Sequence, residues 1–120
     1  MQQPNLNLKA NTLNHIALVN QIFEIERKIS KLDNAGTLAR NIDKIRSLLS
    51  EAGITYHDPT GEIYNDTRTD CEAQVLSEGI GQKVIVETIK PIVRVSIEGF
   101  TRIIQKAIVL VEDKPQNKEV

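Results

Sequence analysis

The chain has two Phe, two Tyr and no Trp, and it contains a single cysteine. The first scarcity means that its core must be aliphatic. The second excludes an internal disulfide and fits a reducing, cytoplasmic setting. No apolar run approaches the ~20 residues needed to span a bilayer, so no membrane association is expected. The opening Met1-Gln2-Gln3-Pro4-Asn5 lacks a basic region followed by an apolar one and does not read as a secretory signal. Neither sign of charge is in excess. Fifteen basic and sixteen acidic residues leave a net charge of −1, which gives no global field for nucleic acid. Metal-ligand spacing is also missing: His15, His57 and Cys71 form no His-x-x-x-His or Cys-x-x-Cys pair, so no metal is expected. Gly79-x-Gly81 lacks the third glycine and the Lys-Ser/Thr of a phosphate cradle, so it reads as a turn and no cofactor is expected.

What the chain does have is a concentration of β-branched residues between Lys83 and Glu112, the only part that reads as sheet. Val84, Ile85, Val86, Thr88, Ile89, Ile92, Val93, Val95 and Ile97 form one run, and Ile103 to Val111 a second. Such side chains are stiff at the first torsion and suit a pleated, half-buried surface. Glu98-Gly99 between the runs is a turn signal, which predicts a hairpin or meander.

The front half reads as helix. Asn11 or Thr12 is the expected N-cap. Leu18, Ile22, Ile25, Ile29 and Leu32 then follow at spacings of four, three, four and three, a heptad seam, with Glu24 and Lys28 as a surface pair. Leu13, Ile16, Ala17 and Phe23 widen the apolar face. Asp33 to Thr37 breaks the pattern, with Gly36 as the expected left-handed residue and Thr37 as the next cap. The seam restarts out of phase at Leu38, Ile42, Ile45 and Leu49 and ends at Gly53. The apolar stripes admit two readings, amphipathic helices packing on their own chain or a dimerising helical hairpin. The hairpin is expected to pair into a four-helix bundle, because alone it cannot cover both stripes and also hold a β head. The expected fold class is α+β: this hairpin followed by a small, mostly antiparallel β head. Along the chain that gives a flexible lead-in (1–11), a helical dimerisation segment (12–53), a β-rich head (54–112) and a disordered tail (113–120).

Ile54-Thr55-Tyr56 and Ile63-Tyr64 flank the turn Asp58-Pro59-Thr60-Gly61, as either a small hairpin or an ordered loop. Asp58, Glu62, Asp66, Asp70 and Glu72 are acidic but miss the offsets of a calcium loop, so they read as a solvated loop. Cys71 has no nominated base beside it and reads as a buried thiol. Catalysis is not expected.

The order of parts resembles GrpE, the family of nucleotide exchange factors for DnaK-type chaperones. The resemblance is carried by Leu32-Asp33-Asn34, Ile45 to Gly53-Ile54, Pro59-x-Gly61-Glu62-x-Tyr64, Cys71-Glu72-Ala73-x-Val75 and the closing Ala107-Ile108-Val109-Leu110-Val111, about residues 29 to 112. Cys71 stands where the family has His, Lys90-Pro91-Ile92 where it has Lys-Gly-Tyr, and Gln105-Lys106-Ala107 where it has an Arg-Pro-Ala-like triplet. The resemblance implies a homodimer whose β head binds the ATPase domain of a DnaK-type chaperone, with Lys90, Pro91, Gln105 and Lys106 at the contact. From the residues alone, the rival reading is a non-enzymatic assembly module whose head docks by edge pairing.

Overall fold

The computed structural model describes residues 4–115. Two helices come first, α1 (Pro4–Ile29) and α2 (Gly36–Glu51). Seven strands follow: β1 (Ile54–His57), β2 (Ile63–Tyr64), β3 (Cys71–Val75), β4 (Lys83–Lys90), β5 (Ile92–Ile97), β6 (Phe100–Gln105) and β7 (Ala107–Asp113). The class is α+β, two N-terminal helices and then a mostly antiparallel β region. The strands form two sheets, ordered β1-β5-β6 and β2-β4-β7-β3. Sheet structure therefore begins well before Lys83. Strands β1 and β2 fall on the two short runs that flank the Asp58–Gly61 turn, inside the expected β-rich head, and β3 follows at Cys71–Val75.

The chain divides into two compact units that interleave along the sequence. One comprises Met1–Tyr56 with Val93–Gln105, the other His57–Ile92 with Lys106–Val120.

The first unit packs both helices on the β1-β5-β6 sheet. Its core joins Val19, Ile22 and Phe23 of α1, Ile42 of α2, Ile54 and Tyr56 of β1 and Val93 of β5. Ile29, Ile45 and Leu49 pack against that core from its margin. The predicted seam is thus split. Ile22 and Ile42 are buried inside the chain's own unit, Leu18, Ile25 and Leu38 remain exposed, and Leu32 is off the helix altogether, in the turn after α1 ends at Ile29. The sheet explains the difference: a helix lying on a sheet needs a wider apolar stripe than a two-helix seam, which recruits Val19 and Phe23.

Several local expectations shift. Helix α1 starts at Pro4, inside the expected lead-in, so Asn11 and Thr12 lie within the helix. Proline suits a first helical turn because its missing N–H would be unpaired there. Glu24 pairs with Arg27 at 3.5 Å. Between the helices it is Asn34, not Gly36, that takes the left-handed conformation (φ 61°), and Gly36 opens α2. The N-cap of α2 is Ala35, with no side-chain hydrogen bond, so Thr37 does not cap it. Gly53 does end the second helical stretch, at φ 85°. Its carbonyl accepts from the Ser96 amide at 2.7 Å, and a Cβ there would sit 2.6 Å from the Ser96 carbonyl oxygen. Both the conformation and the close approach require glycine.

The second unit is the β2-β4-β7-β3 sheet. Cys71, Ile85, Ile92, Ala107, Val109 and Val111 form its core. Strand β4 pairs antiparallel with β7, from Lys83 opposite Asp113 to Lys90 opposite Ile108, and β3 pairs parallel with β7. Strand β2 pairs with β4, so Ile54–Tyr56 and Ile63–Tyr64 lie in different sheets and residues 58–61 are an ordered loop. The loop is held by the Gly61 amide donating to the Ile85 carbonyl (2.7 Å) and by Asp58 Oδ1 accepting from the Thr60 amide (3.0 Å). Thr88, buried in β4, is satisfied by the Thr60 hydroxyl at 2.8 Å. Strand β7 runs through Asp113, beyond the expected end of the head, and residues 116–120 of the expected tail lie outside the described residues.

The expected hairpin is present. Glu98 (φ 52°) and Gly99 (φ 84°) join β5 to β6 with both residues in the left-handed region, a two-residue type I′ turn closed by the pair Ile97 and Phe100.

Candidate functional site

In the second unit, Lys90 ends β4 and stands in register with Ile108, two residues from Lys106, the single irregular residue before β7. Both lysines are exposed and sit at the same end of the β4–β7 ladder. Pro91 is fully buried, so it shapes this end rather than presenting a side chain. Gln105 belongs to the first unit, where it exchanges two hydrogen bonds with Asn20 (3.1 and 2.8 Å) and fastens β6 to α1. Of the four expected contact residues, the structure brings Lys90 and Lys106 together on a surface.

The acidic loop of the second unit is organised by Arg68. Its guanidinium donates to Asp70 Oδ1 (2.6 Å), Glu62 Oε1 (2.6 Å) and the Ile63 carbonyl (3.0 Å). His57 Nε2 meets the other Glu62 oxygen. Burial opposes ionisation of Glu62, but the hydrogen bonds from Arg68 and His57 outweigh it and hold the carboxyl below its ordinary range. The Arg68 hydrogen bond does the same for Asp70. Burial pushes the Cys71 thiol up to about 11, which keeps it protonated and unreactive at neutral pH. Two of the five acidic residues are therefore committed to one arginine. Among the described residues, no group of three His, Cys, Asp or Glu side chains is placed to hold a metal ion.

The first unit carries a second arginine knot. Arg46 Nη2 meets both Glu26 oxygens at 3.2 Å, its guanidinium carbon lies 4.0 Å from the Tyr56 ring centroid, and Nη1 donates to the Tyr56 carbonyl at 3.4 Å. The Tyr56 hydroxyl donates to Glu26 at 2.7 Å. Burial, reinforced by that bond, raises the phenol above its ordinary value. Beside this knot lies an open cleft of ≈250 Å³, lined by Ser47, Ser50 and Thr55 among others. Its only cation is already neutralised by Glu26, so the cleft offers an incoming anion little.

The exposed apolar side chains of the first unit include, besides Leu38 and Leu48 of α2, two groups. Leu18, Ile25 and Leu32, seven residues apart, are each 50–56% exposed. At the hairpin turn, Ile97 is 61% and Phe100 75% exposed. Neither Phe100 nor Arg102, two residues on, stands out in the sequence pattern. An aromatic beside a glycine turn, in a chain with four aromatics, was the available signal.

None of the described helices is long and apolar enough to cross a membrane. Comparison with family models, curated proteins and solved structures returns no match.

Proposed function

We propose that this chain is a GrpE-like co-chaperone, a cytoplasmic homodimer that binds the nucleotide-binding domain of a DnaK-type chaperone and promotes nucleotide release. The observation that carries the reading is the pair of exposed lysines, Lys90 and Lys106, at one end of the β4–β7 ladder. They fall on the two positions that the motif order of the chain assigns to partner contact. Dimerisation is supported by Leu18 and Ile25, one heptad apart on α1 and not used by the chain's own core. Such a protein needs no catalytic group. It has only to bind the open form of its partner better than the closed form, and nucleotide affinity then falls by the same coupling.

The test is release of a fluorescent nucleotide from the isolated ATPase domain of a DnaK-type protein of the same cell, with and without the full chain. Acceleration that saturates with the chain's concentration is the expected result. No acceleration from any such domain would leave the assembly-module reading in its place. That second reading is favoured by one observation, the unpaired outer edge of β6 among the described residues.

A further inference from the structure

Four strands stand at sheet edges, and they are not alike. On β1, the Tyr56 carbonyl accepts from Arg46, and on β2 the Ile63 carbonyl accepts from Arg68. Strand β2 is only two residues long, and β3 exposes the charge of Glu72 at its second position. These are ordinary ways of blunting an edge. Strand β6 differs: it is six residues long, and among the described residues it pairs only with β5.

The register says which of its backbone groups face outward. A two-residue type I′ turn closes on a hydrogen-bonded pair, here Ile97 with Phe100. Antiparallel pairs alternate, so Ser96 with Thr101 is non-bonded, Val95 with Arg102 bonded, and Arg94 with Ile103 non-bonded. The amide and carbonyl of Thr101 and Ile103 therefore point away from β5. Phe100, Thr101, Arg102 and Ile103 are all exposed, and Arg102 has no ion-pair partner among the described residues.

We propose that the outer edge of β6 is a docking site for an extended, acidic and apolar segment of another protein, which adds a fourth strand to the β1-β5-β6 sheet. The backbone geometry demands an extended strand. Arg102 shares its face of the strand with the exposed Phe100, two residues before it, so it selects a carboxylate with an apolar residue two positions away on the added strand. A second copy fits worse. Matching Thr101 and Ile103 across a two-fold axis sets Arg102 opposite its own copy, and like charges directly opposite are unfavourable. A register shifted by one pair needs Gln105, which lies past the irregularity at Val93/Arg94 and is tied to Asn20. The site is independent of which protein the head serves, and its test includes no chaperone.

The experiment is amide hydrogen exchange of the full chain read by NMR, with an end-capped Val-Thr-Glu-Thr-Val peptide, which sets Val, Glu and Val on one face, and a Val-Thr-Lys-Thr-Val control. With the glutamate peptide at ten times its Kd, exchange of the Thr101 and Ile103 amides slows about tenfold. The lysine peptide protects far less, and Arg102→Glu reverses that preference. Thr101→Pro removes one outward donor, leaves the β5–β6 bonds in place and abolishes protection. If that variant does not fold, the charge reversal alone decides. Equal protection by both peptides, or none by either, overturns the proposal. So does protection that rises with protein concentration in the absence of peptide, which assigns the edge to a second copy.

Discussion

Both units are closed by an arginine, but the two arginines do different work. Arg68 gathers Glu62, Ile63 and Asp70, all within six residues of itself, and its side chain is 18% exposed. Arg46 reaches Glu26, twenty residues away on another helix, and Tyr56 on a strand, and it is 37% exposed. The first knot gives a polar loop a defined shape. The second joins three elements that have no local reason to meet. Charged groups near water contribute little as isolated pairs, so Arg46 gains most of its value from stacking on Tyr56 and satisfying a carbonyl. Arg68, more enclosed, holds two carboxylates that would repel each other without it.

The comparison breaks most severely through the cores beneath the knots. Ile85→Ala in the sheet unit and Phe23→Ala in the helix–sheet unit each remove a buried side chain. Each should cost about 2–5 kcal/mol, read as a shift of the urea midpoint. Separate transitions reported by probes in the two units would show them unfolding independently; a single transition would show them coupled.

Next in size are the knots themselves. Arg68→Ala should destabilise by about 1–3 kcal/mol, because it leaves charged acceptors partly desolvated and unpaired. Arg46→Ala should cost less, about 1–2 kcal/mol, from lost stacking and one lost carbonyl partner. An effect of Arg46→Ala larger than that of Arg68→Ala in chemical denaturation would invert the contrast.

pH sharpens it further. Glu62 and Asp70 titrate below their ordinary range in the folded state, so the unfolded chain binds protons first as pH falls. Their contribution is present above the ordinary carboxylate range, about pH 4, and is lost below it. Cys71 works in the opposite sense. Its raised folded value, about 11, means stability declines as pH climbs past the ordinary thiol value, about 8.5. Melting temperature against pH should therefore fall at both ends. Cys71→Ser should remove the decline between about pH 8.5 and about pH 10 only, because the Tyr56 phenol, raised in the same sense, adds its own decline above about pH 10. A decline between those two values that persists in Cys71→Ser would refute the buried-thiol account.

Much of this architecture was legible in the residues. The β-branched density after Lys83 and the Glu98-Gly99 turn marked the hairpin, because a type I′ turn demands two left-handed residues and glycine supplies one cheaply. Gly53 was legible as a helix end for the same reason. The partition of the helical seam was not. Heptad spacing says which residues share a stripe, but a sheet supplied from residues 93–105 decides which of them it covers. That is a long-range fact, and it turned Val19 and Phe23 into core while leaving Leu18 and Ile25 outside. The acidic loop misled in a similar way. Five carboxylates read as solvated until Arg68, itself in a polar turn, is seen to bind two of them.

A smaller expected effect on stability separates folding from assembly in the first unit. Leu18→Asp with Ile25→Asp places charge on exposed positions, so the melting curve of the monomer should move by no more than about 0.5 kcal/mol per site. Light scattering should nevertheless show the proposed dimer lost. A wild-type chain that is monomeric at tens of micromolar contradicts the dimer outright.

The most direct test of the proposed exchange function is nucleotide release from a DnaK-type ATPase domain, comparing the wild-type chain with Lys90→Glu, Lys106→Glu at low and at physiological salt. If these two exposed lysines form the contact, wild-type acceleration weakens as salt rises, and the double variant loses it at low salt with an unchanged melting curve. A double variant that accelerates release as well as wild type contradicts the account and moves the contact away from this end of the ladder.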